Sequence, residues 1–415
     1  MNIFNEPSFE QMAEQNAILK QIANKIEGKY IPRYGIKIDK NDNNPETRME
    51  YILDATGFTP ARMNYVEGRF DYGSWGDLWF IKKNYPCMLN YDGTEAYKLN
   101  PNNYSKKEDG TASDIANINF AGNAMSSIPL VWLKQYEDDR YQYIIVCEQP
   151  YDLSYKAFAH QRADGSIMNK IYLAIFGGAE HDGKLRSISG LQPMHTKIAT
   201  YEIEKAEANG GLWTTKTWAH RNLINSLATL ISKHDNSQVA FGNGNLNYQA
   251  DVEPTKGVLQ TGTLNDKGQF FGYNDNTHQV KIFHIEKYWA DQWDRIQGLL
   301  NVNGNILVKM TRPYNLIGDG FISTGITPGG TSGGYINKSK MLSVGRIPME
   351  ASGSDITYQC DGMWFNNAII AVARVGGGCN YGLLCGLSAV VLHGLVSYAY
   401  WDVGASLSCE EPLVA

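Results

Sequence analysis

Histidines, paired carboxylates and glycine-rich turns are where acid–base, metal or phosphate chemistry would begin, and the chain carries all three without assembling any. Its eight histidines, His160, His181, His195, His220, His234, His278, His284 and His393, are spread with no metal-type spacing. In His284-Ile285-Glu286 the two polar residues lie two apart, which on a strand puts both on one face, and the expectation is a structural hydrogen bond. Doublets such as Asp138-Asp139 and Glu410-Glu411 read as solvated turns and ends. Gly242-Asn243-Gly244-Asn245, Gly329-Gly330-Thr331-Ser332-Gly333-Gly334 and Gly376-Gly377-Gly378 lack the following Lys-Ser/Thr of a phosphate loop, so they read as turns. Asp266, Asn274, Asp275 and Asn276 offer oxygen ligands in one region, but such clusters are usually turn chemistry. No catalytic residue, metal site or cofactor is expected.

The segment 374–409 differs in kind. Asn380, Tyr381, His393, Ser397, Tyr398, Tyr400, Trp401 and Asp402 alternate with small or aliphatic residues, so their side chains can be displayed from a rigid frame. Tyr and Trp give large contact area at low entropic cost, and these eight positions are the expected ligand-binding set. Leu387, Val390, Val391, Leu392 and Leu407 are the expected buried frame beneath them.

Elements must hold that surface in place. Residues 8–27 read as a helix: Ser8 with Gln11 fits a capping box, Met12, Leu19, Ile22 and Ile26 recur at heptad-like positions, and Gly28 and Pro32 stop it. That pattern suits an attachment and oligomerisation helix over 1–33. Residues 34–128 break into short alternating pieces between turns, as expected of a small loop-rich mixed module. Within it, residues 70–77 could offer aromatic faces to a sugar but more often form a buried aromatic cluster. From 129 to 415 one continuous domain is expected, with strand-like runs at 130–133, 141–147, 171–175 and 306–310, and helices over 198–208 and 217–233.

Composition limits the partners. With 37 Lys and Arg against 43 Asp and Glu the net charge is −6, and no basic cluster reaches the density that phosphate neutralisation demands. Nucleic acid is not expected. The longest apolar run, 383–396, is broken by Gly386, Ser388, His393 and Gly394, about 14 residues where roughly 20 are needed, so no membrane insertion is expected. The polar first ten residues do not read as an export leader. Six scattered cysteines in so large a chain read as reduced thiols of a protein assembled in a cytosol.

Several short motifs, in order, resemble a known family. Tyr172 to Gly190, with its Leu185-Arg186-Ser187-Ile188-Ser189-Gly190, resembles the strand and Ser-Gly turn before its first helix, and Trp218 to Ile231 with Asn236-Ser237-Gln238 and Gly242-Asn243-Gly244 resembles its second helix and exit. Trp289-Ala290-Asp291-Gln292-Trp293 stands in place of Gly-Asn-Val-Trp-Glu-Trp, Arg374-Val375-Gly376-Gly377 in place of Arg-Gly-Gly-Ser-Trp, and Val403-Gly404-Ala405-Ser406 in place of Ile-Gly-Phe-Arg. The likeness is to the C-type-lectin-like domain shared by formylglycine-generating enzymes and phage receptor-binding proteins, including targets of diversity-generating retroelements. It covers residues 129–409, about two thirds of the chain. The Gly-Asn pair before the tryptophans is absent and Ser406 replaces the terminal Arg, which removes residues a family salt bridge or metal site would use.

The resemblance implies an α+β, C-type-lectin-like domain with long loops, and two chemistries. Formylglycine-generating enzymes use a cysteine pair in the region of Cys379 and Cys385; here the spacing is one residue wider and basic neighbours are lacking, so inert thiols are expected. The phage relatives imply instead a virion structural protein, a tail-fibre tip or head fibre assembled in the host cytoplasm. Its C-terminal domain would bind a host-surface glycan or protein, and its N-terminus would join other virion proteins, as a homotrimer. A purely architectural virion protein is the remaining alternative.

Overall fold

β-branched and aromatic runs dictate most of the chain. Tyr141–Cys147 reads Tyr-Gln-Tyr-Ile-Ile-Val-Cys and pairs antiparallel with both Tyr34–Asp39 and Trp132–Glu137, while Met49–Leu53 completes a four-stranded sheet. A seven-stranded sheet follows the order Trp213–Thr215, Leu407–Glu410, Lys170–Ala174, Gly122–Pro129, Tyr85–Asn90, Glu95–Asn100, Asn103–Lys107. The third sheet has ten strands built around Trp293–Val302, which pairs with Asn305–Val308 on one side and Ile370–Val375 on the other. From Ile370–Val375 it continues through Val390–Leu392 to Gly362–Phe365. The computed structural model describes residues 30–413.

Four α-helices stand among the described residues: α1 (Trp79–Lys82), α2 (Ala199–Glu207), α3 (Trp218–Ser232) and α4 (Ser237–Phe241). The architecture is α+β with sheet dominant. Helix α3 starts where Thr217 and His220 form a reciprocal capping box and ends where Lys233 turns left-handed at φ 49°. Its stripe of Leu223, Ile224, Leu227, Leu230 and Ile231 is fully buried. The expected helices over 198–208 and 217–233 thus match α2 and α3. Among the described residues no helix is long and apolar enough to cross a membrane.

The boundary expected between 128 and 129 is corrected. It falls inside Gly122–Pro129, and strands from both sides of it share the four- and seven-stranded sheets. Ile36, Trp75 and Phe80 belong to the same hydrophobic core as Leu227, Phe283 and Ile296. Pairing between strands distant in sequence merges what local turn signals divide. The strand expected at 130–133 begins instead at Trp132, after Gly122–Pro129 has ended. The 70–77 piece is an aromatic cluster: Trp75 is fully buried against Tyr51 and Phe58, and Phe70 stacks on Phe270 at 4.6 Å. The N-terminal helix with Met12, Leu19, Ile22 and Ile26 lies outside the described residues.

Candidate ligand-binding site

The strand Ile370–Val375 delivers Arg374 to the centre of the C-terminal segment. Opposite it, the chain leaves Val390–Leu392 and loops through residues 393–402 before Val403–Gly404 rejoins the sheet beside Trp293. Four carbonyls of its 396–402 stretch are pinned. Ala199 N–H, at the start of α2, donates to Val396 O at 3.0 Å, Thr196 N–H to Tyr400 O at 2.9 Å, and Trp293 N–H to Asp402 O at 2.8 Å. Arg295 Nη2 donates to Tyr398 O at 2.5 Å. A loop held at four points offers its side chains with little entropy left to lose on binding.

An aromatic ladder runs along this loop. Tyr398 and Tyr400 lie 6.0 Å apart between ring centroids, Tyr400 and Trp401 6.0 Å, and Trp401 and Tyr248 5.4 Å. Arg374 closes the ladder at its inner end, its guanidinium 4.1 Å from the Tyr398 ring centroid. Gly394 permits that approach: a Cβ there would sit 2.9 Å from Arg374 Nη2. Below the ladder, Trp293, Trp364 and Tyr381 make a triangle of edge-to-face contacts at 5.1 to 5.5 Å.

Polar groups at the inner end lack partners. Arg374 is 3% exposed and its Nε has no acceptor, and Asp402 is 1% exposed with its Oδ1 unbonded. Each orphaned buried group of this kind costs about 1–3 kcal/mol. Burial pushes the Asp402 carboxyl up to about 6, against the pull of Arg374. Burial, and then Arg374, lower His393, which keeps its ring neutral. Trp293 Nε1 lies near the Tyr381 hydroxyl without meeting hydrogen-bond geometry.

The expected binding residues therefore divide. Asn380, Ser397 and Tyr400 are exposed; Tyr381, His393, Tyr398 and Trp401 are half-buried. Asp402 is corrected from displayed to buried: its carbonyl accepts from Trp293 N–H and the residue is 1% exposed. Leu387, Val390, Val391, Leu392 and Leu407 are buried beneath. Missed from sequence were Arg374 as the centre, Trp364 in the triangle, and Tyr248.

Tyr248 arrives through Asp291. In the turn from Tyr288 to Trp293, Ala290 and Asp291 take left-handed backbone angles of 59° and 60°. The Asp291 carboxylate accepts from Asn245 Nδ2 at 2.6 Å, Leu259 N–H at 3.0 Å and Gln279 Nε2 at 2.8 Å. Asp291 O accepts from Cys379 N–H at 2.9 Å. One buried residue thus ties the loop carrying Tyr248 to the turn that begins the C-terminal segment.

Other candidates settle into structure. His284 sits at the tip of a short hairpin with φ 63°, not on a strand, and its Nδ1 pairs with the Tyr104 hydroxyl at 2.7 Å. Glu286 accepts from the Gly262 and Leu264 N–H groups, both at 2.7 Å. Asp275 accepts from Thr277 N–H at 3.0 Å, and Asn276 Oδ1 from Asn243 Nδ2 at 2.6 Å. Among the described residues no group of three or more His, Cys, Asp or Glu is arranged to hold a metal ion. All six cysteines are unpaired and buried. Burial, with Asp291 and Asp402 nearby, pushes Cys379 up to about 12, and burial with Asp361 raises Cys385 well above the usual thiol range. Both are thiols rather than thiolates near neutral pH.

No protein-family profile and no curated protein matches the chain.

Proposed function

We propose that the chain is a virion-borne binding protein, a tail-fibre tip or head fibre, whose C-terminal region is C-type-lectin-like and binds a host-surface glycan or protein. The observation that carries this reading is the ladder Tyr248, Trp401, Tyr400 and Tyr398 ending on Arg374. Aromatic faces on a loop pinned at four carbonyls are contact area already ordered before a partner arrives. The buried orphans beneath it point the same way, since such costs persist where a ligand group can answer them. For the lectin-like fold, the support is the order of elements: α2, α3, the Trp289 to Trp293 turn, then the strand bearing Arg374. Lys170–Ala174 also pairs with Leu407–Glu410, so the region opens and closes in adjacent strands. The protonated, acid-flanked Cys379 and Cys385 argue against the oxidase alternative.

The test is competition. Purified protein in excess should block adsorption of intact virions to host cells in proportion to its concentration. Undiminished adsorption at saturating protein would overturn the receptor-binding reading and favour an architectural one.

A further inference from the structure

Arg295 and Arg374 stand in register on neighbouring antiparallel strands. Arg295 is neutralised by Glu202, itself fully buried on α2. Arg374 has no such partner: among the described residues no carboxylate lies within 4.0 Å of its guanidinium, and Asp402 acts on it only from farther off. Two buried cations thus share one contacting anion. A buried guanidinium without a hydrogen-bonded anion is costly, and a planar carboxylate answers it with two parallel bonds.

What surrounds Arg374 narrows the source of that carboxylate. The ladder offers ring faces, which pack on the C–H faces of a pyranose, and Asn380 and Ser397 of the same segment are exposed polar groups able to meet hydroxyls. There is one unanswered cation at this site and no basic cluster around it, which suits a single acidic group on a largely neutral body.

We infer that the site binds a carboxylate-bearing saccharide, Arg374 holding the carboxylate while Tyr398, Tyr400 and Trp401 take the ring face. This rests on the binding reading above. The titratable groups that interact electrostatically around Arg374 are Asp402, His393 and the Tyr381 and Tyr398 hydroxyls.

The inference is tested by calorimetry and saturation-transfer NMR on the full chain with four probes: methyl glucuronide, methyl glucoside, N-acetylalanine and acetate. The first two differ only at C6. The expected result is glucuronide bound at least about tenfold more tightly than glucoside, the scale of one charge-assisted pair. Arg374→Gln should abolish the preference, bringing glucuronide and glucoside to the same affinity, and Arg374→Lys should retain part of it. If Arg374→Gln fails to fold, Gly394→Ala serves, since its methyl displaces the guanidinium. Equal binding of glucuronide and glucoside, or a preference that survives Arg374→Gln, overturns the inference. N-acetylalanine or acetate binding as tightly as glucuronide overturns the saccharide in favour of a peptide or simple carboxylate. Protein that blocks virion adsorption yet ignores glucuronide leaves the binding reading standing and removes only this inference.

Discussion

Arg295 and Arg374 face each other across two paired strands, yet only Arg295 is met by a carboxylate, that of Glu202. This asymmetry organises the C-terminal surface. Arg295, fixed by Glu202, holds Tyr398 O, while Arg374, left unanswered, lies against the Tyr398 ring.

Glu202→Gln should therefore weaken both stability and the loop. Removing one partner of a buried ion pair typically costs about 3–5 kcal/mol, and here it leaves two adjacent arginines uncompensated. Urea unfolding should show a loss of that order, and hydrogen exchange should quicken at Tyr398.

Asp402→Asn separates pH effects. The folded-state carboxyl titrates near 6, above its ordinary 3.8, so the folded protein holds the proton more tightly and stability from this group falls as pH rises between those values. The variant should be more stable than the parent at pH 8, by at most about 3 kcal/mol, with the difference vanishing below pH 4. A difference curve isolates this group from the other buried acids. In the parent, glucuronide binding should also weaken as pH rises through about 6, because ionised Asp402 repels a second carboxylate, and in the variant it should not.

Asp291→Ala should release Tyr248 without touching it. Three hydrogen bonds to its carboxylate would be lost, two of them from residues in the 245–259 stretch. Proteolysis should then cut within that stretch, and stability should drop by about 3 kcal/mol.

How much of this was legible in the chain follows from where the information lies. Helix α3 was readable because its stripe and its Thr217 cap are local signals, as was Tyr141–Cys147. The shared sheets across residue 129 were not, since nothing near Gly122–Pro129 states that Tyr85–Asn90 and Lys170–Ala174 will flank it. In the site, the aromatic richness of 398–401 was evident. Alternation failed at Asp402, because a loop pinned by its carbonyls need not alternate, and Tyr248 was invisible because the link runs through Asp291, about 43 residues away in sequence. His284 was misplaced for a similar reason: a left-handed histidine at a hairpin tip leaves no periodic trace.

Cell binding by the double variant Tyr248→Ala and Tyr400→Ala measures the central claim most directly. Both side chains are partly exposed, at 44% and 49%, so the fold should tolerate their loss, and Val66→Ala, 98% exposed in the turn between Arg62–Asn64 and Arg69–Asp71, serves as control. With fluorescently labelled protein on host cells, the double variant should lose at least about tenfold in apparent affinity while Val66→Ala binds as the parent does. A double variant that binds as tightly as the parent would contradict the assignment of the ladder as the binding surface.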